Sequence, residues 1–373
     1  MNILMLNFEF PPLGGGAGNA TFYLLKELAR YDDVHIDVVV SSAGAYREEQ
    51  FSPRIKIHFL DIGKSDNWHY QSERDLLSYA WKSFFFCQHL LKKNTYHLGH
   101  AFFGIPCGFI ALRLGIPYIV SLRGSDVPYY NPRFYWWDSF LFKRLSKSIW
   151  RKAKRVISNS YGLKMLAQQS FPDQRIDVIG NGIDTAQFAP GYTSSEALRI
   201  LCVSRLIARK GIDDLLKAMA ELKQEKITLQ VVGNGNQKEK LTRMTTELGI
   251  KEKVSFLDYL SHDAMSGIYH QNDVFVLPSL NEGMSNAALE AMACGLPIVL
   301  TDTGGTKELV QGNGFIVPKQ DPAGLVATLK EFLFNRSLVK KMGARSRELA
   351  EQMSWPKVAR AYYAVYKSIL DNV

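Results

Sequence analysis

The run DVFVLPSLNEGMSNAALEAMACGLPIVLTD, residues 273–302, decides how the rest of the chain is read. Its first part, DVFVLPSL (273–280), is strand-like, and PIVLTD (297–302) reads as a second strand preceded by a helix end and a turn. A loop and a helix starting near Ser285 fill the interval, so Glu282 falls in the loop and Glu290 inside the helix. Two carboxylates so placed, with Gly283, Ser285 and Asn286 between them, are not a paired acid and base on one helix face. The free N–H groups of such a helix start, and the positive end of its dipole, favour an anion.

The same alternation extends outward in both directions. In the first half, residues 2–8, 35–41, 56–60, 118–122 and 155–160 are strand candidates, and 20–31, 76–93 and 134–153 have helical spacing. In the second half, strands at 198–204, 228–233 and 253–258 alternate with helices at 211–224 and 237–249. Two such series predict an α/β protein of two Rossmann-like, doubly wound parallel-sheet domains. A chain of 373 residues is too long for one ordinary core, which agrees. The expected domains are 1–185 and 186–355, with the turn-rich 181–197 as linker and a last helix at 356–370. Ligands of open α/β sheets bind outside the carboxyl ends of the strands, so the site is expected in a cleft between the domains.

Hydrophobic content of 46% and charged content of 22% are those of a soluble globular protein. A net charge of +9 suggests an acidic partner: a nucleotide, an anionic membrane or a nucleic acid. No recognition module supports the nucleic acid, which is therefore set aside. The cysteines Cys87, Cys107, Cys202 and Cys294 form no C-x-x-C pair, and read as buried thiols of a cytoplasmic protein rather than a zinc site or disulfide framework. The first residues read as a strand and not a signal peptide, and no apolar run is long enough to span a bilayer.

Chemistry is expected in the loops that follow strands. PPLGGGAGNA (11–20) follows the first, and its Gly14, Gly15, Gly16 and Gly18 let backbone N–H groups approach a ligand, although Asn19 breaks the full dinucleotide fingerprint. This loop could equally be a flexible turn. In RLIARKG (205–211), Arg205 and Lys210 flank a helix start, which suits a diphosphate. GNGNQ (233–237) is a weaker third instance, and TDTGGTKELV (301–310) adds another Gly-Gly turn.

These residues carry a resemblance. VSRLIARKG, EGMSNAALEAMACGLPIV, TGGTKELV and NGFIVPKQDP resemble the donor-binding half of the retaining glycosyltransferases of family four, which have the two-domain GT-B fold. PPLGGGAGNATFYLLKELA, GIPYIVSLRGSD, VISNS and IDVIGNGIDTAQFAP are similar to its first half, so the likeness covers nearly the whole chain. It implies transfer of a sugar from a nucleotide-diphosphate sugar, UDP or GDP, to a hydroxyl of a lipid-linked or cell-envelope glycan. Arg205 and Lys210 would hold the diphosphate, Glu282 the transferred sugar and Glu290 the ribose. The backbone of Gly283, Met284, Ser285 and Asn286 would bind sugar and phosphate oxygens, Tyr259 and Leu260 would cradle the base, and Gly15 and Gly16 would reach the phosphate from the first domain. The terminal helix would pack back on that domain. Asp126 keeps its place in the family pattern, but Arg123 stands where a histidine is usual, and an arginine cannot accept a proton at neutral pH. The chain has no D-x-D motif, which fits a reaction that needs no metal and no cofactor beyond the nucleotide-sugar co-substrate.

Residues 131–155 stand apart: aromatic at first, then with seven Lys or Arg and no acid over 143–155. They read either as a docking element for an anionic membrane, placing the protein peripherally on the inner face of the cytoplasmic membrane, or as a helix whose aromatics pack on the sheet. A nucleotide-sugar epimerase and a catalytically silent scaffold are the alternatives to transfer, Arg123 being the one hint of the latter.

Overall fold

The computed structural model describes residues 1–64, 71–131, 135–191, 195–258, 260 and 262–371. The chain divides into two units, Met1–Asn181 with Trp355–Val373, and Gly182–Ser354. The expected boundary at 185/186 lies four residues beyond this division.

Among the described residues, unit 1 holds the strands β1 (Asn2–Leu6), β2 (His35–Ser42), β3 (Arg47–Ser52), β4 (Ile55–Asp61), β5 (Leu98–Phe102), β6 (Tyr118–Leu122), β7 (Arg155–Ser158) and β8 (Asp177–Val178). They form one sheet in the order β3-β4-β2-β1-β5-β6-β7-β8. All pairs are parallel except β3 with β4. The inner strands are apolar almost end to end because helices cover both faces. The edge strand β3, REEQFS, is exposed and charged, which blocks pairing with a further strand.

Parallel crossovers are right-handed, so helices connecting strands in opposite directions along the sheet lie on opposite faces. The helix Gly16–Leu28 links β1 leftward to β2, and it packs against the terminal helix Trp355–Leu370. Stacking of Tyr23 on Trp355 and Tyr31 on Tyr363 makes that contact, with ring centroids 5.7 and 4.3 Å apart. The helix Glu73–Lys93 leads rightward from β4 to β5 and belongs to the other face, where it packs on Phe109–Leu114, which in turn packs on Lys143–Lys152. The helix expected over 134–153 is present as one run over 135–152, with a widened turn, Asp138–Phe142, between Tyr135–Trp137 and Lys143–Lys152, and 132–134 lie outside the described residues. At the widened turn the buried Asp138 carboxylate accepts from the Tyr129 amide at 2.9 Å instead of facing water.

Unit 2 holds β9 (Leu198–Val203), β10 (Ile227–Val232), β11 (Val254–Leu257), β12 (Val274–Leu277), β13 (Ile298–Thr301) and β14 (Gly314–Val317), all parallel, in the order β11-β10-β9-β12-β13-β14. The part of 181–197 that is described is not a loose linker. Ile183 and Phe188 are buried in the core of unit 2, and Arg347 donates to the carbonyls of Thr185 and Phe188 at 3.1 and 2.9 Å. Residues 192–194 lie outside the description.

Each sheet has one point where the direction of winding reverses, between β1 and β5 in unit 1 and between β9 and β12 in unit 2. The loops leaving the carboxyl ends of those strands diverge there and leave a crevice. The glycine-rich loop leaves from β1, RLIARKG from β9 and SLNEGMS from β12.

Candidate active site

In unit 2 the two loops at the reversal are locked together through their backbones. The Leu280 amide donates to the Arg209 carbonyl at 2.8 Å. Gly211, at φ +63°, lies so close to Pro278 that a Cβ would stand 2.2 Å from its carbonyl oxygen, so only glycine permits both the turn and the approach. A third loop backs them, since a Cβ on Gly305 would lie 2.0 Å from the Gly283 carbonyl oxygen. The packing of these loops fixes the side chains. Lys210 ends a short helical turn, Ala208–Lys210, and its Nζ donates to Oε1 of Glu282, which also accepts from Ser279 Oγ at 3.1 Å.

The two charges sent by the sequence reading to different parts of a donor are therefore bonded to each other, and both are largely buried. Burial pushes the Glu282 carboxyl up, but the Lys210 ammonium and the Arg209 guanidinium outweigh it and hold the group below the ordinary carboxylate range. Lys210 moves down from its usual value: burial lowers it most, Glu282 opposes, and the positive charges of Arg209 and Arg205 add to the fall. RLIARKG thus sets Lys210 and Arg209 beside the ionised Glu282 carboxylate, with Arg205 near Lys210.

Ser285 caps the helix Asn286–Ala293, its side chain accepting from the Ala288 amide at 3.3 Å. Met284 is buried, while Ser285 and Asn286 are half-buried at the helix start. Glu282, Gly283 and Ser285 line a small hollow with Thr303 and Thr306 of the loop behind. Glu290 sits deeper along the helix, 9% exposed, with Oε2 accepting from the hydroxyl of Tyr269 at 2.8 Å. That contact, after burial, holds the Tyr269 hydroxyl in its neutral form. Leu260 packs against the core of unit 2, and Tyr259 lies outside the described residues. The glycines of GNGNQ serve packing: Cβ atoms on Gly233 and Gly235 would lie 2.0 and 2.3 Å from the carbonyl oxygens of Ser204 and Leu206.

In unit 1, Gly15 caps the helix Gly16–Leu28, whose first turn includes residues expected in the loop. The Gly15 amide donates to Oε2 of Glu9 at 3.1 Å, so a carboxylate of the chain itself already meets this helix start. Asp126 at the end of β6 is buried and accepts from the amides of Gly104, Arg123 and Gly124 at 2.7, 2.9 and 3.0 Å. Burial still pushes its carboxyl up against those bonds. Arg123 lies over the Phe102 ring and donates to Asn181 Oδ1 at 2.8 Å and to the Tyr362 hydroxyl at 3.5 Å. Beneath it, buried His100 meets Tyr366 at 2.7 Å and Ser121 at 2.8 Å, and burial followed by the Arg123 charge lowers its pKa well below the usual histidine value. In this arrangement Arg123 and Asp126 brace the backbone and the terminal helix.

The residues missed by sequence reasoning are Arg209, Ser279, Tyr269 and Glu9. Arg209 was visible inside RLIARKG, and Ser279 and Glu9 lie in the same loops as their partners Glu282 and Gly15, whereas Tyr269 gains its role only by tertiary contact. Among the described residues no group of three or more His, Cys, Asp or Glu is arranged to hold a metal ion.

Two doubly wound sheets, one in each unit, with a cation–carboxylate cluster and a capped helix start at the winding reversal of unit 2, are the frame of a GT-B glycosyltransferase. Two family models divide the chain accordingly, Glycosyltransferase Family 4 over residues 14–187 and Glycosyl transferases group 1 over 184–349. The chain belongs to these group 1, family 4 glycosyltransferases. It is 28% identical over 223 residues to the GDP-mannose-dependent alpha-(1-6)-phosphatidylinositol monomannoside mannosyltransferase of Mycobacterium tuberculosis, covering 54% of this chain and 58% of that one. Among solved structures, sucrose-phosphate synthase from Thermosynechococcus elongatus has TM-score 0.88 at 20% identity, with all of both chains covered. Anabaena HepE in complex with UDP and glucose has TM-score 0.74 at 20% identity, covering 98% of this chain and 99% of that one.

Proposed function

We propose that the enzyme is a retaining transferase moving a sugar from a UDP- or GDP-sugar to a hydroxyl of a lipid-linked or cell-envelope glycan, without a metal. The observation that carries this reading is the Lys210–Glu282 pair at the winding reversal of unit 2, beside the start of the helix Asn286–Ala293. Lys210 and Arg205, with Arg209, neutralise the departing diphosphate, and the helix start adds its N–H groups. Glu282 then takes hydroxyls of the transferred sugar, while Glu290, oriented by Tyr269, takes the ribose. Leu260 lies toward the base, and Gly15 and Gly16 remain donor contacts by their place at the reversal of unit 1. Arg123 and Asp126 act by positioning.

The bond from the sugar to the diphosphate breaks as the acceptor oxygen bonds to the same face of the sugar. The acceptor proton passes to a phosphate oxygen, so no side chain need be the base. The nucleotides named for the Mycobacterium relative and bound in the Anabaena structure differ, which leaves both UDP and GDP as candidates. The stretch 131–155 brings the enzyme to the inner face of the cytoplasmic membrane.

Transfer and hydrolysis assayed over a panel of nucleotide sugars test the reading. One donor class should be used with retention, and Glu282→Gln should lower kcat by about 100-fold or more. Near-wild-type turnover of Glu282→Gln at saturating donor would falsify the role given to this residue.

A further inference from the structure

We propose that a polar cavity at the amino ends of the strands of unit 2 is a second small-molecule site, which takes a monosaccharide phosphate. It lies at the opposite end of the sheet from the Lys210–Glu282 pair and shares no residue with the proposed donor site. The inference therefore stands whether or not the transferase reading does.

The pattern along the strands is the first observation. A parallel sheet covered on both faces is apolar nearly throughout. Alternation puts Arg199 and Leu201 of β9 on one face with Thr228, Gln230 and Val232 of β10, and the register sets Ser255 of β11 beside Gln230. Leu201 and Val232, toward the carboxyl ends, are buried, whereas Thr228 and Ser255 are exposed. The face is thus apolar in one half and polar in the other. The crossover from β11 back over β10 and β9 to β12 contributes a helix of nine residues, His262–His270, about 14 Å long. A six-residue strand such as β10 runs about 20 Å, so a helix of that length leaves the amino ends bare. Asn272, two residues past the helix, lines the cavity and donates to Gln230 Oε1 at 2.9 Å.

Charge is the second observation, and it is independent. Arg199 and Arg336 both bond the buried Asp273, at 3.0 and 3.3 Å, and Nη1 of Arg336 is buried without an acceptor. Lys253, on the cavity wall, donates to the carbonyl of Glu225 and meets no carboxylate among the described residues. Against these three cations stand two acids, Asp273 and Glu252, which leaves an excess positive charge that a bound anion would offset.

Size and lining narrow the ligand. The cavity measures about 420 Å³, within the range of small-molecule sites. Leu229 and Val254 are its only apolar lining residues among those described, which disfavours a lipid. No aromatic side chain lines it, so a nucleobase has nothing to stack on. It offers the cations Arg199 and Lys253 together with the polar groups of Thr228, Gln230, Ser255 and Gln271. Among the described residues, the Thr228 and Ser255 hydroxyls bond no other protein group. An anionic group carried on a ring of hydroxyls matches both sets.

Calorimetric titration of the full chain with a panel of hexose 1- and 6-phosphates, beside the free hexoses and inorganic phosphate, tests the inference. Hydrogen exchange locates the bound molecule. One hexose phosphate should bind about tenfold or more tightly than either of its parts, and UDP and GDP should not displace it. It should slow exchange at 227–231 and 252–256. T228V/S255A and Lys253→Met should each weaken it by about tenfold with an unchanged unfolding midpoint. Should either variant fail to fold, exchange on the wild-type protein still decides. Displacement by either nucleotide, or slowed exchange confined to 205–211 and 280–290, would assign the molecule to the donor site and overturn the inference. So would unchanged affinity in both variants, or a panel in which no hexose phosphate binds.

Discussion

At the scale of single residues, the Lys210–Glu282 bond makes a definite demand on stability. Removing one member of a buried ion pair leaves the other charge uncompensated, which costs roughly 3–5 kcal/mol. Lys210→Met should therefore lower the unfolding midpoint of unit 2 strongly, and K210M/E282Q should recover much of the loss; denaturant melts of the two variants measure this. The pair also has a pH signature. The folded-state pKa of Glu282 lies below its unfolded value near 4.5, so its contribution is present above that pH and is lost as pH falls through the folded pKa. Wild type should lose midpoint temperature below about pH 4.5 more steeply than Glu282→Gln does.

At the scale of elements, the site is held by backbone contact between loops, and glycine is the test. Gly305→Ala places a methyl against the Gly283 carbonyl and should displace the Glu282 loop, weakening nucleotide binding as well as stability. Gly267→Ala, inside the helix His262–His270 with nothing within 4 Å of its Cβ, should instead be neutral or stabilising by up to about 1 kcal/mol. Nucleotide-dependent thermal shifts of the two variants separate the cases. These contacts also mark what sequence can reveal. The inner parallel strands were legible because burial on both faces makes them apolar throughout, and the loops after them followed from the alternation. The edge strand REEQFS was not, being polar on both sides, nor was β5, whose LGHAF carries a glycine and a histidine. His100 is tolerated there only because Tyr366 and Ser121, remote in the chain, bond both ring nitrogens. The bond of Tyr269 to Glu290 escaped for the same reason, since no spacing rule relates two residues joined by the packing of separate helices.

At the scale of the whole molecule, unit 2 is one continuous segment and unit 1 is two. A chain of residues 182–354 expressed alone should fold cooperatively, because its core cluster contains no residue from outside that range. Residues 1–181 alone should not match the stability of unit 1 in the full chain. They lack Trp355, Tyr362 and Tyr366, which belong to their core, and His100 loses a partner. Melts of the two fragments beside the full chain check both statements.

The split in unit 1 also bears on how the molecule is made. A ribosome adding roughly 5–20 residues per second takes on the order of 10–35 s to travel from Asn181 to Trp355. Throughout that interval the first sheet is synthesised but lacks its closing helix, leaving Tyr23, Tyr31 and His100 without Trp355, Tyr363 and Tyr366. The nascent chain thus completes its second unit before its first, and the aromatic surface waiting for the last helix is where a holding chaperone would act.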